Sequence, residues 1–365
     1  MPSDNQPHLL VCITAHGYGH AAQCVPVLNA LHALVPNLRI TIRSQVPLGY
    51  LRERLSAPFE YLREGGDIGM LMSSALDIRV DDTAAAYQRL HRDWGMQVRN
   101  EALKLEEIAP DFVLSNVSYL PLAGAYHAGI PCAAMSSLNW GDIFDHYCGA
   151  TSGAHHVTEE IRRSYAHAQA FLRLTPGMAM DELPNRLPAG PIAHLGRDRR
   201  DEIRRRAGLR LDEKLVLVSL GGVENKLSID RWPSIRGVRW LVPAGWHSAH
   251  PDALVLESLE MPFSDLLASA DALLCKPGYG SFVEAACAGV PVLYVERPDW
   301  PETPCLTQWL ATHGRGREIT RASLTAGSFA QDLQALWQMP APERPQPEGI
   351  AQAAEWLAQQ LATAS

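Results

Sequence analysis

Two Rossmann-like α/β domains in tandem, facing each other over a cleft, are what this sequence predicts, and three observations carry the reading. The chain has 365 residues, more than the ~250–300 at which a single hydrophobic core stops growing. Short apolar runs alternate with amphipathic stretches from one end to the other, the pattern of a parallel sheet wrapped by helices. Over Leu174–Arg200 the alternation breaks, with Pro176, Pro184, Pro188 and Pro191 mixed among Gly177, Gly190 and Gly196. Regular structure rarely survives such a density of prolines, so an interdomain linker is expected there. The N-terminal domain is therefore placed at residues 1–175 and the C-terminal domain at residues 190–340.

In the first half the predicted strands are Leu9–Thr14, Arg39–Arg43, Phe112–Ser115 and Cys132–Ser136. Val25, Leu28, Leu31, Leu34 and Val35 recur at helical spacing between the first two. One long helix is expected from about Asp82 to Ile108, capped by Asp81 or Asp82, burying Leu90, Trp94, Val98 and Leu105, and stopped by Pro110. After the linker come strands Leu215–Ser219, Val238–Val242, Ala272–Cys275 and Val290–Val295, with helices near Phe263–Ser269, Ser281–Ala288 and Thr303–Thr312. A second proline-rich connector, Pro340–Pro347, precedes an apolar helix at residues 349–363 that is expected to pack back on the N-terminal domain. No internal repeat and no low-complexity stretch stands out.

Composition removes several function classes. Hydrophobic residues make up 47% and charged residues 20%, the balance of a folded chain. The net charge of −8 and the lack of a basic face argue against a nucleic-acid partner. Apolar runs such as Ala268–Cys275 fall far short of the roughly 20 residues that span a bilayer. Met1–Pro7 carries no basic region, so no signal peptide is expected. The seven cysteines are odd in number and form no C-x-x-C pair, which suits reduced thiols in a cytoplasmic protein and excludes a zinc ribbon.

Two motifs could carry chemistry. The first, Thr14-Ala15-His16-Gly17-Tyr18-Gly19-His20-Ala21-Ala22-Gln23, joins the first strand to the first helix. Gly17-x-Gly19-x-x-Ala22 fits the dinucleotide fingerprint only by spacing, because Arg43 and Ser44 stand where an acid should hold a ribose. A tight strand-to-helix turn would also use these glycines. A histidine at a helix start is well placed as a general base near neutral pH, which singles out His20 with His16 as the alternative. No third ligand accompanies the two histidines, so no metal site is expected.

The second motif runs from Ala270 to Pro291 as strand, Gly-rich loop, helix, Ala288-Gly289-Val290-Pro291 turn and strand. Amides of Gly278, Tyr279, Gly280 and Ser281 at a helix start favour a diphosphate, and Lys276 and Ser281 add charge and a hydroxyl. Glu284 lies one turn further, where a carboxylate can accept from both hydroxyls of a ribose.

This second run resembles the donor site of GT-B glycosyltransferases, a His-x-Gly-x-x-Ser-x-x-Glu pattern followed by Gly-x-Pro. Lys276 stands where many of those families have His, while Gly278, Ser281, Glu284, Gly289 and Pro291 keep their places. Gly19-His20 with Pro26 resembles their N-terminal Gly-His-x-x-Pro, whose histidine is the base in several subfamilies. Gly221-Gly222 resembles the Gly-rich turn that faces the donor phosphates. The chain resembles the glycosyltransferase-like N-terminal region of plant L-arabinokinases, through His16–His20, Ser137–Phe144 and Lys276–Ser281.

The resemblance implies a metal-independent glycosyltransferase without cofactor, moving a sugar from a nucleotide-diphospho-sugar to a hydroxyl of a small molecule or glycan. His20 or His16 would be the base. Gly19, Gly221, Gly222, Lys276, Gly278, Tyr279, Gly280, Ser281, Glu284 and either Glu302 or Asp299 would hold the donor, and Asn139, Trp140 and Asp142 the acceptor. Two departures accompany it: the expected acid-Gln pair is replaced by Arg297–Pro304, and the acid that orients the base would fall at Ser115-Asn116, where there is none. A non-catalytic nucleotide-sugar-binding module and a nucleotide-sugar 2-epimerase of the same fold are the alternatives. Peripheral membrane association and oligomeric state stay open. The remaining polar features are Asp67, Asp81 and Asp82, an acidic acceptor site unless the last two are helix caps, and His146, His155 and His156, read as surface or packing residues.

Overall fold

The computed structural model describes residues 6–66, 68–74, 76–220, 227 and 229–364. The chain divides into two compact units, residues 1–73, 77–192 and 347–365 in one and residues 74–76 and 193–346 in the other. Gly221 and Gly222, Asp67, and most of the segment after the eighth strand lie outside the described residues.

The first unit is built on seven strands: β1 (His8–Ile13), β2 (Arg39–Ser44), β3 (Glu60–Leu62), β4 (Phe112–Asn116), β5 (Cys132–Ser136), β6 (Ala170–Leu174) and β7 (Arg186–Ala189). They form one sheet in the order β3-β2-β1-β4-β5-β6-β7, with every pairing parallel. β1, β4 and β5 are buried along their whole length, as continuous apolar strands covered by helices on both faces must be. The strand order reverses between β1 and β4, where Ile13 pairs with Asn116. In open parallel sheets the crevice for ligands opens at the carboxyl ends of the strands at such a reversal.

The second unit repeats the plan with β8 (Lys214–Ser219), β9 (Val238–Val242), β10 (Ala253–Val255), β11 (Ala272–Cys275), β12 (Val292–Val295) and β13 (Gly316–Ile319). Their order is β10-β9-β8-β11-β12-β13, again parallel throughout. The reversal lies between β8 and β11, with Ser219 beside Cys275. Trp232, Trp240 and Phe329 meet edge to face at 5.1–5.8 Å in the core beneath it.

Four expectations need correction. The proline-rich stretch contains β7, which extends the first unit to residue 192; Pro188 is tolerated because β7 is an edge strand that pairs only with β6. The long helix is two, Val80–His91 and Trp94–Ile108. Asp81 and Asp82 sit in the first turn behind the N-cap Arg79. Its buried residues are Thr83, Ala84, Tyr87, His91, Glu101, Ala102 and Leu105, and of the expected face only Leu105 is among them. The break turns Trp94 back to stack on His91 at 4.7 Å, whose ring bonds Glu160 and Tyr119.

The two units share local devices without repeating each other's sequence. Asp111 and Asp271 each stand just before a strand and exchange hydrogen bonds with the neighbouring strand's first residues, His8 and Leu215. Helices Leu120–Ala128 and Tyr279–Ala288 each end on a left-handed glycine, Gly129 (φ 71°) and Gly289 (φ 76°), followed by x-Pro and a strand. In both, the residue after the glycine bonds back to a helix carbonyl, Ile130 to Ala125 and Val290 to Ala285, closing the last turn.

The final helix, Gly349–Ala364, belongs to the first unit. Ala353, Ala354, Leu357 and Leu361 are buried, on a helix that packs against Gly19–Leu34, β4 and β7. Trp356 meets Phe112 edge-on at 6.1 Å.

Candidate functional sites

In the first unit the site lies at the β1/β4 reversal. Gly17, at φ +77°, turns the chain from β1 into helix Gly19–Leu34. His20 is thereby the second residue of the helix and only 6% exposed. Its Nδ1 lies 2.7 Å from Asn116 Oδ1 at the end of β4. The orientation of that amide is set by a relay: Asn116 Nδ2 donates to Gln23 Oε1 at 2.9 Å, and Gln23 Nε2 donates to Ser137 Oγ at 2.9 Å. Asn116 Oδ1 therefore accepts, His20 Nδ1 carries the proton, and Nε2 keeps its lone pair. Burial pushes the His20 pKa down to about 4, against the opposing pull of the Asn116 bond. At neutral pH this imidazole is a neutral acceptor in a fixed tautomer.

Trp140, fully buried, joins the two histidines. Its ring centroid is 5.4 Å from that of His16 and 5.9 Å from that of His20. Gly69 (φ +61°) lies against this pair, and a Cβ there would stand 3.4 Å from His16 Nδ1 and from the Trp140 ring. Asn139 and Asp142 have other work. Asn139 Oδ1 caps helix Trp140–Cys148 by accepting from the Asp142 amide at 2.8 Å, and its Nδ2 donates to Asp142 Oδ2 at 2.8 Å. Arg162 pairs with the other Asp142 oxygen at 3.2 Å. With Asn139 fully buried, these two act as a capped and braced turn, and Trp140 alone of the expected acceptor residues touches the histidines. His146, His155 and His156 are exposed.

Arg43, where a dinucleotide fingerprint needs an acid, is buried against Glu101. Gly19 is exposed at the helix start.

In the second unit the Gly-rich run follows β11 at the other reversal. Gly278 is the N-cap and the helix begins at Tyr279, so Gly280 and Ser281 stand in its first turn rather than in a loop. The first-turn amides of a helix have no intrahelical acceptor, which is what an anion at this end uses. Tyr279 is 5% exposed and packs inward. Ser281 and Glu284, one turn apart, are both partly exposed. Lys276 ends the approach from β11; burial and the nearby Arg297 lower its pKa to about 8, so it is mostly charged at neutral pH.

Arg297 and Glu302 lie close enough to bear on Lys276 electrostatically. The Arg297 guanidinium rests over the Trp300 ring at 4.3 Å, and Trp300 Nε1 donates to Glu302 Oε2 at 3.2 Å. Glu302 is 4% exposed: the structure ties it to Trp300, while Asp299 is exposed. Asn116, Gln23 and Arg297 are the participants that sequence reasoning did not assign. The signal for Gln23 was its spacing from His20 on one helix face.

No family model matches the chain. It is 25% identical over 353 residues to L-arabinokinase of Arabidopsis thaliana, covering 91% of this chain and 32% of that protein; it thus spans about a third of that relative's length. Among solved structures, the glycotransferase of kitacinnamycin is similar with a TM-score of 0.62 at 17% identity, over 99% of this chain and 96% of that one. Phytolacca americana UGT2, complexed with UDP-2-fluoro-glucose and pterostilbene, follows at a TM-score of 0.57 and 14% identity, over 98% and 94% of the two chains. The fold is that of the GT-B glycosyltransferases.

Proposed function

We propose that this chain is a glycosyltransferase that moves a sugar from a nucleotide-diphospho-sugar to an acceptor hydroxyl. The observation that carries the reading is His20: a neutral imidazole at a helix start, its Nδ1–H held by Asn116 and its Nε2 lone pair left to accept. In the proposed reaction Nε2 takes the acceptor's hydroxyl proton as its oxygen bonds to the anomeric carbon, and the bond from that carbon to the diphosphate oxygen breaks. Charge on the departing diphosphate is held by Lys276 and the amides of Tyr279–Ser281, with no metal ion required. Glu284 accepts from the ribose hydroxyls. Phytolacca americana UGT2 is complexed with UDP-2-fluoro-glucose and pterostilbene on the same fold, which supports the substrate class without naming this chain's own.

A binding module is the second reading, favoured by one observation: the curated relative is a larger protein, of which this chain matches 32%. A 2-epimerase is disfavoured because Asp142 and Glu302 are engaged by Arg162 and Trp300.

A melting-temperature screen over UDP-, GDP-, dTDP- and ADP-sugars tests the donor assignment. One of them should stabilise the wild type, and Glu284→Ala should weaken that donor about tenfold or more, since charge-assisted hydrogen bonds contribute roughly 1.5–3 kcal/mol each. Unchanged affinity in the variant would leave Glu284 as a mere first-turn acid.

A further inference from the structure

The amino ends of the second unit's strands, opposite the Gly-rich loop, border a cavity of about 430 Å³. The volume is that of a small-molecule pocket. Arg200, Lys214, Arg315 and Arg344 line it, against two acids, Asp198 and Asp271. Both acids are committed to the fold. Asp271 accepts from the Leu215 amide at 2.8 Å and faces Lys214 at 3.6 Å, and its counterpart Asp111 does the same strand-end work in the first unit. Asp198 accepts from the Arg200 amide at 3.0 Å. Among the described residues neither Arg200, Arg315 nor Arg344 forms a salt bridge, so positive charge is left over.

Two of these guanidinium groups converge on one residue. Arg315 donates to the Gly289 carbonyl at 2.8 Å. Arg344 lies so close to Gly289 that a Cβ there would sit 2.4 Å from its Nε. Cations do favour the carboxyl end of a helix, and Gly289 ends helix Tyr279–Ala288. Capping does not account for the pair, however. Gly129 closes the equivalent helix of the first unit with the same left-handed geometry, and nothing lies within 4 Å of its Cβ position. The cations are specific to this cavity and repel one another there: Arg344 helps to lower the pKa of Arg315.

We propose that this cavity binds a diphosphate-bearing small molecule, at a second site separate from the Gly-rich loop. Planar guanidinium groups match phosphate oxygens two at a time. Trp337, whose indole Nε1 is anchored on the Asp271 carbonyl at 2.9 Å, forms part of the wall. The inference stands on this cavity alone and does not depend on the reaction proposed above.

Calorimetry with inorganic pyrophosphate tests it, using the Lys276→Ala variant so that the Gly-rich loop contributes little. One equivalent should bind to Lys276→Ala. Adding Arg344→Gln, at an exposed position that the fold tolerates, should weaken binding at least about tenfold, and Arg344→Glu should abolish it. A parallel titration with ADP identifies the source of the group: tighter binding than pyrophosphate would assign a nucleotide, equal binding a free diphosphate. Absence of binding to Lys276→Ala, or equal affinity with and without Arg344→Gln, would overturn the proposal.

Discussion

Asn116 occupies the place where an acid would make His20 a stronger base, and exchanging it for aspartate restores that acid. A carboxylate 2.7 Å from Nδ1 favours the imidazolium and raises the histidine pKa by about 1–3 units. With His20 titrating at about 4, wild-type turnover should be flat from about pH 5 to pH 7. In Asn116→Asp the acid limb should move up by at least about one unit; an unmoved limb in the pH–rate profile would separate His20 from catalysis. The lowered pKa also bears on stability. His20 is neutral in the fold and titrates near 6.5 when unfolded, so its contribution is complete above that value and lost as pH falls toward 4. Lys276 acts in the opposite sense: with its pKa near 8, affinity for the nucleoside diphosphate should fall above pH 8, and Lys276→Ala should remove that dependence. The placement of Lys276, Ser281 and Glu284 about one helix start was legible because the strand and the helix that follows it are consecutive in the chain. Asn116 was noticed only as a missing acid, since its bond to His20 joins residues 96 positions apart, a separation no local pattern encodes.

Most central strands were legible, and the edge strands were not. Cys132–Ser136, Val238–Val242 and Ala272–Cys275 stand as expected, because central parallel strands are covered on both faces and read as unbroken apolar runs. The four edge strands β3, β7, β10 and β13 were missed: each has one pairing partner and mostly exposed or half-exposed side chains, so neither apolar runs nor alternation marks them; β6, buried between β5 and β7, was missed as well. The break at Arg92-Asp93 was hidden because helical spacing continues across it, and the buried His91–Glu160–Tyr119 contacts that favour it are long-range. The final helix gives the element-scale prediction. Leu357 is wholly buried in a helix that covers Gly19–Leu34, the helix carrying His20. Leu357→Ala should cost about 2–5 kcal/mol by leaving a cavity, read as a lower denaturation midpoint. A change below about 0.5 kcal/mol, the size expected of surface substitutions, would show that the helix is not part of that core.

At the scale of the whole molecule, the two parallel sheets followed from the alternation of apolar runs and amphipathic stretches. Their kinship was harder to read: it rests on a strand-start aspartate and an Ala-Gly-x-Pro turn in each unit, Asp111 with Ala128–Pro131 and Asp271 with Ala288–Pro291. So few shared residues do not register as a repeat, although each fixes the same backbone geometry. Each unit carries its candidate site at the reversal of its own sheet, His20 with Asn116 in one and Lys276 with Glu284 in the other. The central claim is that His20 is the base of a sugar transfer from a nucleotide-diphospho-sugar. Its most direct test is nucleoside diphosphate release from whichever nucleotide-sugar stabilises the protein, measured without added acceptor, so that water takes the acceptor's place. The wild type should release it slowly, and His20→Ala should bind the same donor equally well while releasing it about 10²–10⁴-fold more slowly. Release by His20→Ala at the wild-type rate would contradict the account.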